Sequence, residues 1–119
     1  MVLYHGEIHF IDACATCVDL TSNADITMNA AQAFGNVYVI KPAGVKVSLL
    51  SNITHSFASP KTLTIQSGIF DANTFTVNGT GNLAMTDGEF QTAKCATVLP
   101  ELTGTYALTG GKVTLDGVC

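Results

Sequence analysis

Arginine and tryptophan are absent from this 119-residue chain, and charge of either sign is scarce at 12% of residues. Each shortage excludes something. Readers of nucleic acid lean on arginine for bidentate phosphate and guanine contacts, so five lysines, no arginine and a formal net charge of −4 argue against that partner. The same balance argues against an anionic membrane surface. No apolar run reaches the roughly 18 residues that a membrane-inserted helix requires. His5, Glu7 and His9 interrupt the stretch where a signal peptide would place its apolar segment. A charged fraction about half the usual one leaves two ways to stay in solution. Either Thr, Ser and Asn solvate the surface, or much of the surface is consumed by neighbouring subunits.

What is abundant is glycine at regular places. Leu63-Thr-Ile65-Gln-Ser-Gly68-Ile-Phe70 returns twenty positions later as Leu83-Ala-Met85-Thr-Asp-Gly88-Glu-Phe90, and more loosely as Tyr106-Ala-Leu108-Thr-Gly-Gly111-Lys-Val113. Two apolar residues two apart, a glycine three later and a bulky apolar residue beyond it describe a strand that bends at the glycine. A period of about 20 residues suits one coil of a solenoid, which buries its inner face only by stacking on another coil. Leading strands near 26, 45, 63, 83 and 106 predict four or five coils. Further strands are expected at Val37–Ile40, Val45–Leu49, Phe75–Val77 and Val113–Leu115. Gly68, Asn78-Gly79, Gly81-Asn82, Asp87-Gly88 and Gly110-Gly111 are the expected turns. Ala30–Phe34 suits one helical turn or a bend. The chain reads as a single all-β domain, residues 1–119. Residues 1–20 form an N-terminal cap, a strand from Leu3 to Ile11 and a Cys14–Cys17 loop, and 21–119 form the β-repeat body. The competing architecture is a β-sandwich or jelly roll, since short strands and Asn-Gly turns are also its signature.

The unit Leu63-Thr-Ile-Gln-Ser-Gly-Ile-Phe-Asp-Ala-Asn-Thr-Phe-Thr-Val-Asn-Gly79, with its return up to Phe90, resembles β-solenoid repeat segments of bacterial and phage surface proteins. That resemblance implies a repeat architecture and an exterior location, and it carries no functional residues with it. Residues 1–35 depart from the pattern.

Cysteines at 14, 17, 95 and 119 make an even count in a small chain poor in charge, which favours disulfides and an oxidising compartment. Cys95 and Cys119 stand 24 residues apart, near one coil, so neighbouring coils would bring them within bridging distance; Cys14 and Cys17 would pair locally. The same N-terminal region holds the chain's two-histidine cluster. His5, Glu7 and His9 alternate on one strand face and Cys14 and Cys17 follow, a donor set able to hold zinc, or with Glu7 an open hydrolytic metal site. The plainer alternative is the wet face of an amphipathic strand, and a metal would compete with a Cys14–Cys17 bridge. No helix pattern follows the Cys-x-x-Cys to support redox work, and Val18 after Cys17 excludes a c-type haem attachment.

Asp71, Asp87, Glu89 and Asp116 fall mostly at turns, so a polysaccharide-cleaving carboxylate pair is hard to assemble. Thr62-x-Thr64 suggests an ice-binding ladder, but a shift of twenty brings Asn82 and Ala84. Asn52-Ile-Thr54 and Asn78-Gly-Thr80 are glycosylation sequons only in a eukaryotic secretory setting. The expectation is therefore a non-enzymatic structural subunit or adhesion module of an extracellular, cell-surface or virion assembly. It would act as a homo-oligomer or filament through β-edges and need no cofactor. Tyr38, Val39, Val45, Val47, Tyr106 and Val113 are the candidate contact residues. The alternative is a module that binds a glycan or cell-surface receptor through aromatics such as Tyr38, Phe57 and Tyr106; a zinc-stabilised module is the third.

Overall fold

A computed structural model describes residues 8–11, 24–27, 36–57, 59–94 and 99–117. Within them, alternation of apolar and polar residues builds short strands whose inner side chains are buried and whose outer ones meet water. Thr62-Leu-Thr-Ile shows the pattern, with Leu63 and Ile65 buried and the two threonines half-exposed. In chain order the strands are β1 (Ile8–Ile11), β2 (Ala24–Ile26), β3 (Val37–Ile40), β4 (Lys46–Leu49), β5 (Ile53–Phe57), β6 (Thr62–Ser67), β7 (Ile69–Asp71), β8 (Val77–Gly79), β9 (Asn82–Met85), β10 (Glu89–Thr92), β11 (Glu101–Leu102), β12 (Tyr106–Leu108) and β13 (Lys112–Leu115).

These strands make three sheets, and every strand pairing is parallel. Sheet A runs β1-β3-β6-β9-β12, sheet B runs β2-β4-β7-β10-β13 and sheet C runs β5-β8-β11. Successive strands occupy successive sheets, so the chain winds as a three-sided β-solenoid. Its coils β3–β5, β6–β8 and β9–β11 are complete, with two strands beyond them at each end. A sandwich joined by hairpins would pair its strands antiparallel, so that alternative fails. No helix among the described residues covers the outer side of a sheet, and the strands alternate in polarity instead of reading as continuous apolar runs.

The sequence repeat is the structural register. Leu63 pairs Leu83 and Leu83 pairs Tyr106; Phe70 pairs Phe90 and Phe90 pairs Val113. Inward positions therefore stack into columns, Val37/Leu63/Leu83 and Val39/Ile65/Met85 on sheet A and Val47/Phe70/Phe90 on sheet B. These nine side chains are at most 2% exposed. Each side chain buried this fully contributes about 1.5–3 kcal/mol. Phe70 and Phe90 stack with ring centroids 5.9 Å apart. The repeat's glycines form the corner between sheets A and B. Gly68 has φ +76°, and a Cβ there would lie 2.5 Å from Cβ of Lys41; a Cβ on Gly111 would lie 2.4 Å from the Gly88 carbonyl oxygen.

Two local expectations are corrected. Asn78-Gly79 is not a turn: both residues lie in β8, where Asn78 pairs Glu101 and Gly79 pairs Leu102. Phe75 and Thr76 precede that strand, with the Phe75 amide donating to the Ala72 carbonyl, so the expected Phe75–Val77 strand is a corner over most of its length. The phase of the early coils also differs. The segments starting near 26 and 45 belong to sheet B, not to the sheet that carries 63, 83 and 106. Of the N-terminal segment, β1 joins sheet A as another rung, Ile8 opposite Val37 and Phe10 opposite Val39. The rest of the expected cap, the bend at 30–34 and all four cysteines with their two expected bridges lie outside the described residues.

Candidate functional site

The last rung is where the core comes to the surface. Tyr106 and Leu108 on β12 continue the two inward columns of sheet A, and Val113 and Leu115 on β13 continue those of sheet B. No rung lies beyond them among the described residues, and they are 38%, 49%, 41% and 51% exposed. Leu50 is the other exposed large apolar residue in the described chain. The other end differs: Ile26, inward on the outermost strand of sheet B, is 3% exposed. Among the described residues the last rung thus exposes four inward apolar side chains, whereas the one inward residue described for sheet B at the other end is buried.

The open rung is held in place by polar ties. The Tyr106 hydroxyl donates to the Pro100 carbonyl and accepts from the Leu102 amide at 3.0 Å. On the outer face of sheet B the Thr114 hydroxyl and the Gln91 side-chain amide both donate to Glu89 Oε1, while Lys112 Nζ stands 3.4 Å from Glu89 Oε2. These donors, Thr114 first, hold the Glu89 carboxyl below its ordinary value against the opposing effect of burial. One coil away from β10, Asp71 accepts from the Asn73 amide at 2.9 Å and pairs with Lys46 Nζ at 3.5 Å. Both carboxylates act as clasps between rungs.

The candidate contact residues divide sharply. Val39 and Val47 are fully buried, so they belong to the core and offer no side chain to a partner. Val45 is half-buried at the corner leading into β4, and Tyr38 is half-buried on the outer side of sheet A. Tyr106 and Val113 stand on the open rung. Tyr106 is not displayed on a loop as a glycan-stacking ring would be; its hydroxyl is tied to the segment before β11 and to β11 itself. Phe57 lies in β5. Among the metal candidates, His9 lies in β1, while His5, Glu7, Cys14 and Cys17 lie outside the described residues. The described residues contain no group of three or more His, Cys, Asp or Glu placed to hold a metal ion. No described helix is long and apolar enough to cross a membrane. The register sets Asn82 beside Thr62 and Ala84 beside Thr64, so this part of sheet A carries no threonine ladder.

Sequence reasoning missed Leu108 as a surface residue, because it repeats the core pattern of earlier coils; Leu115 lies within the stretch Val113–Val118 that the sequence offered for contacts.

No protein-family model matches the chain, and no curated protein and no solved structure matches it.

Proposed function

We propose that the chain is a non-enzymatic structural subunit or adhesion module of an extracellular or virion assembly, associating through the strand edges of its last rung. The carrying observation is the open end: four apolar side chains in core columns meet water beside sheet edges that have no strand partner among the described residues. Unpaired edges are ready templates for another chain, and contiguous uncovered apolar surface marks an interaction site. The scarcity of charge fits a surface partly covered in use. The resemblance of residues 63–90 to surface-protein repeats supports the exterior location.

Light scattering coupled to size exclusion tests this. Mass above the 12.4 kDa monomer that grows with concentration is expected. A monomer at every concentration that is retained on a glycan array would replace assembly with the receptor-binding alternative.

A further inference from the structure

The partner chemistry of the open end can be read from β13 and its neighbours. In sheet B the amides of Lys112 and Asp116 donate inward to the stack, to the carbonyls of Gly88 and Thr92. Backbone groups alternate sides along a strand, so those of Val113 and Leu115 point to the free edge. The five residues Lys112-Val113-Thr114-Leu115-Asp116 have a mirrored character: a cation and an anion at the ends, an apolar residue inside each, and threonine at the centre. Turning this strand about Thr114 and laying it antiparallel on a copy of itself sets Val113 opposite Leu115 of the second copy. That is a hydrogen-bonded pair position, which uses the backbone groups left free at the edge. Lys112 then stands opposite Asp116, and Thr114 opposite Thr114. Apolar, opposite-charge and Thr–Thr cross-strand pairs are all favourable. Inward residues meet inward residues, so Val113 and Leu115 are covered from the side on which they are exposed. Lys112, Thr114 and Asp116 lie on the outer face, where the side chains of Lys112 and Asp116 are accessible.

At the opposite end Ile26, the inward residue of sheet B, is 3% exposed, so that column offers no uncovered apolar face for a head-to-tail stack. A surface that meets its own copy does so about a two-fold axis.

We infer that the open rung binds a second copy of this chain end to end, as a closed two-fold dimer built on antiparallel pairing of β13 with β13. This rests on the assembly reading above and adds its partner, symmetry and register. The test uses the 119-residue chain. Sedimentation should show a monomer–dimer equilibrium with no larger species. Carbodiimide treatment of a mixture of isotopically light and heavy chains should yield a mixed Lys112–Asp116 cross-link on mass spectrometry. Asp116→Lys places two like-charge pairs across the axis and weakens the dimer about tenfold. Adding Lys112→Glu to that variant restores affinity. Because Lys112 also touches Glu89, Asp116→Lys is the primary arm and its unchanged far-ultraviolet circular dichroism the folding check. A monomer at all concentrations overturns both the dimer and the assembly reading. Open-ended polymers, or a dimer indifferent to Asp116→Lys and lacking the cross-link, overturn the two-fold pairing while leaving assembly standing.

Discussion

Gly68 and Gly44 have nearly the same backbone, φ +76° and +82°, yet only Gly68 faces a neighbour, with Lys41 Cβ 2.5 Å from where a Cβ would sit. Gly44→Ala should cost about 1 kcal/mol, the strain of a left-handed backbone. Gly68→Ala adds a clash against the main chain's own neighbour and should cost about 2 kcal/mol or more. Chemical denaturation of the two variants separates strain from crowding. The repeat made Gly68 legible as a corner; the different roles of the two glycines were not, because the crowding comes from a residue in the preceding coil. Glu89 carries a second prediction. Its depressed pKa means that its clasp on Thr114 and Lys112 is fully present above the ordinary value of 4.5 and is lost as pH falls through the lower, folded value. Stability should therefore decline below about pH 4.5, and Glu89→Gln should flatten part of that decline in an acid series of thermal midpoints.

For the strands and their coils, the eight-residue repeat was legible down to individual partners, because identical windings place identical offsets side by side. Leu63 against Leu83 and Phe70 against Phe90 follow from the spacing alone. The earlier coils were less legible. From Val37 to Leu63 the winding takes 26 residues, against 20 from Leu63 to Leu83, and the pairing of β3 with β6 slips between Val39 and Ile40. Such insertions at corners leave the core columns intact while destroying a fixed sequence period. That is why the strands near 26 and 45 were assigned the wrong side. Asn78-Gly79 misled for a related reason: a dipeptide that turns a hairpin can also lie extended when a parallel neighbour accepts its backbone. The columns predict a steep penalty for hollowing them. Phe70→Ala removes a ring stacked on Phe90 and in register with Val47, and should cost about 3–5 kcal/mol. A comparable truncation of Leu115, half-exposed at the open end, should cost well under half of that in the monomer. Urea titration at low protein concentration checks the contrast.

At the scale of the described stack, Ile26 is buried on sheet B at one end, while Tyr106, Leu108, Val113 and Leu115 are exposed at the other. Composition hinted at this, since a surface with so little charge suggests covering. Which end is open was not legible, because burial at an end depends on chain that lies apart in sequence. Joining two open ends removes the exposed core columns and satisfies the free edge of β13 at one stroke, without any change of fold. The most direct measurement is amide hydrogen exchange of the intact chain across a concentration series. Protection at Val113 and Leu115 should rise as concentration increases, while the buried strands β6 and β7 stay unchanged. Exchange at Val113 and Leu115 that is fast and identical at every concentration would show that the open rung has no partner of its own kind.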